Sequence, residues 1–206
     1  MSERSTSTVT EDRSVVAGGV ADPAPLGLAA FALTTFLLSA FNAKWMGSAT
    51  GNAWLGYAIG YGGLVQLLAG MWEFRRGNVF GATAFGSYGG FWIGLAIWAI
   101  RVAPAASSAS AAQHDLGWIL LAFAIFNAYM LLMSTQVSLA VFAVFLTLEA
   151  TEILLFAGNF AGNGTILKIG GYVGVLTAAC AWYASAAGVS NGMGSRLRLP
   201  AGKPLV

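Results

Sequence analysis

Polar and apolar residues segregate along this chain in long blocks rather than alternating. Residues 1–21 are rich in Ser and Thr, carry charges of both signs and contain no apolar run. Such a segment predicts a mobile tail, and with no hydrophobic stretch before a cleavage site it does not read as a signal peptide. Six apolar blocks follow, at about 25–43, 52–72, 82–101, 116–134, 137–158 and 166–188, before a polar C-terminal segment, 191–206. A helix of ~20 residues rises ~30 Å, the thickness of the hydrocarbon core of a bilayer. Each block meets that length and is apolar throughout, whereas the strands of a membrane barrel alternate with period two over ~10 residues. The pattern predicts an all-α integral membrane protein: six transmembrane helices within 22–190, flanked by the tails 1–21 and 191–206.

Composition agrees. The chain is 57% hydrophobic and 9% charged, with a mean hydropathy of +0.72, where a soluble domain carries roughly 25% charged residues. A formal net charge of +2, without a basic patch interleaved with aromatics, gives no sign of nucleic-acid binding. Lys and Arg set the orientation. With the N-terminus inside, Arg4, Arg13, Arg75, Arg76, Arg196, Arg198 and Lys203 lie on one side, and Lys44, Arg101 and Lys168 on the other. That excess puts both termini in the cytoplasm of a plasma (inner) membrane protein, and an even number of spans requires the termini to share a side. Trp45, Trp54, Trp72, Trp98 and Trp118 fall near span ends, as an interfacial belt would have them, while Trp92 falls mid-span and is expected to be buried. Glycines four apart (Gly56 and Gly60; Gly86, Gly90 and Gly94; Gly170 and Gly174) allow close helix approach, either within one subunit or between subunits.

Polar groups inside the blocks are few. Glu149 and Glu152 lie in the fifth block, and a charged side chain at that depth costs roughly 2.5–3.5 kcal/mol on insertion scales, so it seldom faces lipid. Phe145, Leu148, Glu149, Glu152, Phe156 and Asn159 share one helical stripe at three- and four-residue steps. No Lys or Arg sits mid-span to pair with the two carboxyls. Phe41-Asn42-Ala43 and Phe126-Asn127-Ala128 form a three-residue echo, too short to establish an inverted repeat. His114, with Asp115 in the predicted loop between the third and fourth spans, is a lone histidine and not a metal site. Cys180 is a single small packing residue, without a partner for an intrachain disulfide. No zinc-protease helix motif, phosphate-binding lysine loop or nucleophile elbow is present, so the chain is not expected to be an enzyme or to need a cofactor or metal.

The first block opens on Asp22-Pro23-Ala24-Pro25-Leu26-Gly27-Leu28. Asp22 can cap a helix and Pro23 suits a first helical position, yet those roles do not demand two prolines and a glycine in this order. The stretch resembles the Asn-Pro-Ala-Pro-Leu-Gly-Leu signature of the acetate uptake transporter family, which includes the bacterial succinate–acetate permeases; Asp22 replaces the Asn. A longer likeness runs through Tyr61-Gly62-Gly63, Gln66, Ala69-Gly70, Glu73, Gly77-Asn78, Phe80-Gly81, Thr83-Ala84-Phe85, Ser87-Tyr88-Gly89 and Phe91-Trp92. Gly158-Asn159, Gly171, Ala181 and Tyr183 add a third patch.

The resemblance implies a channel-like six-helix carrier of acetate and similar short-chain carboxylates, with succinate among the candidate substrates. It further implies a homo-hexamer in which each protomer has its own narrow pore. The family's constriction of Phe, Tyr and Leu falls on Phe31, Tyr88 and Leu148, and the signature residues 22–28 mark the substrate entrance. A dry ring of this kind suits a small acid or its anion, because an aromatic edge is positive and a phenol can donate a hydrogen bond. Glu149, Glu152, Asn159 and Gln66 are the candidate proton or substrate contacts. Burial without a cation disfavours two ionised carboxylates on one face, so at least one of Glu149 and Glu152 is expected to hold a proton at neutral pH. Uptake would then rise as pH falls. A channel for a neutral solute such as ammonia or urea is the alternative reading. A retinal-type photoreceptor would need a seventh span and a mid-span lysine; Lys168 lies at a helix start.

Overall fold

The computed structural model describes residues 19–47, 51–194 and 196–206. Arg4, Arg13 and nearly all of the predicted N-terminal tail lie outside the described residues. Among the described residues there is no strand; the chain forms α1 (Ala24–Asn42), α2 (Ala53–Ile59), α3 (Gln66–Arg76), α4 (Val79–Ile97), α5 (Ala109–Ser134), α6 (Leu139–Phe160) and α7 (Gly164–Gly192). A π-helical stretch, Gly60–Val65, joins α2 to α3, and π and 3-10 turns carry α4 on to Ala105. Five runs are long and apolar enough to cross a membrane: Ala24–Asn42, Val79–Ala105, Ala109–Ser134, Leu139–Phe160 and Gly164–Gly192. The second predicted span, 52–72, is helical from Ala53 to Arg76 but falls outside those five. Gly60, Gly62, Gly63 and Gln66 dilute its hydropathy, and the glycines let its centre widen into the π stretch.

Capping side chains, which hydropathy does not report, set the helix starts. Ser108 Oγ accepts from Ala111 N at 3.0 Å, so α5 begins seven residues before the predicted fourth span. His114 and Asp115 therefore lie on a helix, where His114 stacks against Phe160 with ring centroids 5.3 Å apart, and not in a loop. Ser138 and Asn163 cap α6 and α7 in the same way. At α1 the helix starts one residue later than the proline rule suggests. Pro23 occupies the cap position, and Asp22 Oδ1 accepts from Ala24 N at 3.0 Å. The short α3–α4 and α6–α7 connections turn on Gly77 (φ +75°) and Gly162 (φ +58°), left-handed conformations that glycine adopts without a Cβ clash.

α1 packs along α7, α7 on α6, α6 on α5, and α3 on α4. Glycine permits the closest of these approaches. A Cβ on Gly171 would stand 2.4 Å from Ala43 N, and Cβ atoms on Gly70 and Gly89 would stand 2.7 Å from Gly86 N and Leu67 N. Gly170 and Gly174 also pack inside the protomer, against Leu155 and Ser39. Gly56, Gly60, Gly90 and Gly94 meet nothing and face outward. Large apolar side chains such as Leu64, Leu68, Ile125, Leu132 and Ile153 point outward too, while Gln66, Glu73 and Asn127 are fully buried. This distribution inverts that of a soluble domain and matches a bilayer as solvent. Trp92 is buried as expected, and Trp45, Trp72 and Trp118 are exposed. Trp54 departs from the predicted belt: it packs in a core cluster with Trp92 and Leu95. The predicted C-terminal tail starts two residues late, since α7 runs to Gly192, and it folds back on the bundle. Ala201 O accepts from Ala140 N at 2.9 Å, Thr135 O accepts from Leu205 N at 2.7 Å, and Tyr183 Oη donates to Pro200 O at 2.8 Å.

Candidate functional site

A string of cavities runs between the two ends of the bundle, each sharing wall residues with the next. At the end where α1 starts and α3 and α7 finish, a cavity of about 450 Å³ is lined by Asp22, Pro25, Leu28, Arg76, Asn78 and Ala184, among others. Leu28 also lines a space of about 20 Å³ together with Phe31, Gln66, Tyr88, Phe145 and Leu148. Beyond it lies a space of about 40 Å³ walled by Phe31, Thr35, Tyr88, Trp92, Leu148 and Glu152. Leu38, Leu120 and Leu155 are common to that space and a cavity of about 350 Å³ that reaches Lys44, Gln113 and Asn159 at the opposite end. The two smallest spaces of the string adjoin each other, and the residues common to both are Phe31, Tyr88 and Leu148.

Three helices supply that cluster: Phe31 from α1, Tyr88 from α4 and Leu148 from α6, each less than a tenth exposed. Phe31 meets Tyr88 edge-on, with centroids 5.7 Å apart. Phe91, Phe123 and Phe126 surround the remaining faces of the Tyr88 ring at 5.6–6.1 Å. Three of these four rings meet Tyr88 edge to face and Phe123 is tilted, a packing that fixes the phenol ring and the direction of its hydroxyl. That hydroxyl lies 3.1 Å from Asn127 Oδ1 and 3.1 Å from Glu152 Oε1. Asn127 Nδ2 in turn donates to Phe145 O at 3.0 Å and to Glu149 Oε2 at 2.8 Å.

The predicted site residues fall into three groups. Phe31, Tyr88 and Leu148 come together, with Gln66 on one side of them and Glu152 on the other. Asn159 lies further out in the 350 Å³ cavity and donates to Leu155 O at 2.8 Å. Glu149, half-buried, lines none of these four cavities and, among the described residues, joins the network through Asn127. The signature is divided. Asp22, Ala24, Pro25 and Leu28 line the cavity of about 450 Å³, Gly27 gives room to the Phe85 ring, Pro23 occupies the cap position of α1, and Leu26 points outward. The charge of Asp22 is offset, because its carboxylate forms an ion pair with Arg76.

Sequence reasoning missed Asn127, Thr35 and the indole N–H of Trp92 as site groups. Asn127 is a fully buried amide in the middle of α5, and a mid-span amide is itself a signal that the three-residue echo had already brought into view. Gln66 Oε1, Thr35 Oγ1, Trp92 Nε1 and Glu152 Oε2 are buried with no hydrogen-bond partner among the described residues. Buried polar atoms are paired in nearly all native structures, so four beside one narrow passage mark places for a polar visitor or for water. A space of ~10–15 Å³ suffices for a water molecule, and both small spaces exceed it. Among the described residues no group of three or more His, Cys, Asp or Glu could hold a metal.

Comparison with known proteins places this geometry. The sequence profile of the GPR1/FUN34/yaaH family matches residues 7–203. Acetate permease A of Emericella nidulans is 43% identical, with 91% of this chain and 68% of that protein aligned. Succinate-acetate/proton symporter SatP of Escherichia coli is 36% identical over 89% of this chain and 96% of its own length. Ammonia transport outward protein 2 of Saccharomyces cerevisiae is 41% identical, over 83% of this chain and 62% of that protein. The chain thus spans about two thirds of the length of these two fungal relatives. A solved structure, the bacterial acetate channel SatP, superposes with a TM-score of 0.80 at 33% identity, covering 89% of this chain and all of that one.

Proposed function

The chain belongs to the GPR1/FUN34/yaaH family, and we propose that it carries acetate and similar short-chain carboxylates, succinate among them, through a passage within each protomer. The observation that carries this reading is the string of cavities meeting at Phe31, Tyr88 and Leu148. In this reading those three residues are the constriction. An apolar neck strips the hydration shell from an ion and passes a small solute that finds polar groups on either side; Gln66 and Glu152 supply them here. The names of the Emericella and Escherichia relatives support the substrate class, and that of the second supports a proton moving with the acid.

We take the Asp22 end to face the cytoplasm at the plasma membrane; the excess of Arg75, Arg76, Arg196, Arg198 and Lys203 on that side over Lys44, Arg101 and Lys168 on the other supports this orientation. A homo-hexamer is the assembly proposed, with the outward-facing Gly56, Gly60, Gly90 and Gly94 at subunit contacts. The ammonia relative favours a second reading, a path for a small neutral solute.

Uptake of radiolabelled acetate into proteoliposomes of the purified protein, with and without a pH gradient, separates the two. Acetate transport predicts uptake above that of protein-free liposomes, competition by propionate, and stimulation when the interior is alkaline. Uptake no greater than in protein-free liposomes, alongside protein-dependent ammonia flux, would replace it with the second reading.

A further inference from the structure

We infer that Glu152 is locked in its protonated form by Asn127, acting through Tyr88, and that the space beside it therefore receives a small carboxylic acid as the neutral molecule. The inference deepens the proposed transport function and rests on it for the identity of the visitor. It follows from counting hydrogens. Phe145 O is a backbone carbonyl and can only accept, so the group that Asn127 turns toward it at 3.0 Å is the NH2. The same NH2 donates to Glu149 Oε2, which leaves Asn127 Oδ1, an acceptor, facing Tyr88 Oη at 3.1 Å. Tyr88 has one proton and must give it there. Glu152 Oε1, also 3.1 Å from Tyr88 Oη, then faces a hydroxyl with only lone pairs left to offer, so the proton between them belongs to Glu152. An ionised Glu152 would set an acceptor against an acceptor in a buried site, where such a conflict is expensive.

The surroundings agree. The titratable groups facing Glu152 are Tyr88 from α4 and Glu149 from its own helix. Around the space that Glu152 lines, α1 presents Thr35 and Ser39 and α5 presents Leu120, with Asn127 behind Tyr88, none of them charged. Among the described residues no basic group acts on Glu152 to stabilise a carboxylate. Glu149, half-buried, accepts from Asn127 Nδ2.

The consequence lies at the narrow part of the passage. The Tyr88 hydroxyl is committed to Asn127 and has no proton for a passing solute. With its proton turned to Tyr88, Glu152 presents Oε2 as a bare acceptor, and Trp92 Nε1–H and the Thr35 hydroxyl line the same 40 Å³ space as donors. One acceptor beside donors complements a COOH group, whose O–H donates and whose C=O accepts. A carboxylate, which only accepts, would bring an oxygen against Oε2.

Infrared spectroscopy of the purified protein in lipid, across a pH series, reads the proton directly. The C=O band of a protonated carboxyl should persist through neutral pH in the wild type, vanish in Glu152→Gln and survive in Glu149→Gln. Asn127→Leu should release Tyr88 to donate to Glu152, so that the band disappears as pH rises through neutrality. A wild type without the band at neutral pH, or a band removed by Glu149→Gln instead, would overturn the assignment, even if Asn127→Leu does not fold. The visitor is tested in wild-type proteoliposomes at fixed total acetate, after subtraction of protein-free diffusion. Well above the acid's pKa, uptake should fall about tenfold per pH unit with the neutral acid; uptake that stays level would overturn neutral-acid passage. The infrared result needs no transport, so a correct band with no acetate uptake would sink the transport reading alone.

Discussion

Asp22 shows how one side chain changes meaning once its neighbours are known. Read along the chain, it is the family's Asn exchanged for a charge at the mouth of a path for carboxylates. In the fold Arg76, 54 residues away, pairs with it, and no local pattern could have supplied that partner. The pair is part exposed, so its contribution to stability is small, about 0–1 kcal/mol. Its effect on the local field is the larger matter. Asp22→Asn keeps an oxygen to accept from Ala24 N and leaves Arg76 uncompensated in the wall of the cavity they share. Succinate uptake relative to acetate should rise a few-fold at low ionic strength, and the gain should fade in high salt as the charge is screened. Uptake ratios in the two salts check this; a ratio unmoved at low salt would show that the mouth does not sense charge. Glu149 and Glu152 make the same point. Their shared helical stripe was legible in the sequence, but the division between a half-buried acceptor and a buried partner of Tyr88 depends on Asn127, which arrives from another helix.

Among the helices, the apolar blocks located five spans well and described the second least well. There Gln66, which lowers its hydropathy, lines one of the small spaces, and Gly62 and Gly63 give room to Thr34 and Ile93. Gly89 brings α4 within backbone distance of Leu67. Gly89→Ala would force a Cβ to 2.7 Å from Leu67 N, with no flexible tip to yield. The α3–α4 pair should separate, at a cost of about 1–3 kcal/mol, read as a lower unfolding temperature in mild detergent. Gly94→Ala, in open space within the protomer, should leave the unfolding of a dispersed protomer unchanged. Helix starts were less legible than helix centres, because a cap such as Ser108 extends α5 through polar sequence that a hydropathy window assigns to a loop.

For the whole molecule, the proposed neck came within reach of the sequence only because motifs from α1, α4 and α6 could be placed by resemblance. Phe31, Tyr88 and Leu148 are ordinary residues for a membrane helix, and nothing in their spacing brings three helices to one point. Assembly is the first property to test at this scale. Native mass spectrometry from mild detergent should show one ring species, six protomers in the proposed assembly, and bulky replacements at Gly60, Gly90 or Gly94 should weaken it without unfolding the protomer. A wild type that stays monomeric while transporting would remove the oligomer from the account. The central claim is that substrate passes between Phe31, Tyr88 and Leu148, and size at Leu148 tests it most directly. The measurement is uptake of labelled acetate and succinate into proteoliposomes containing Leu148, Leu148→Ala or Leu148→Trp at equal protein density. Alanine should raise the succinate-to-acetate ratio severalfold, and tryptophan should bring both substrates close to the protein-free rate. Three folded variants with the same rates and the same ratio would place the path elsewhere.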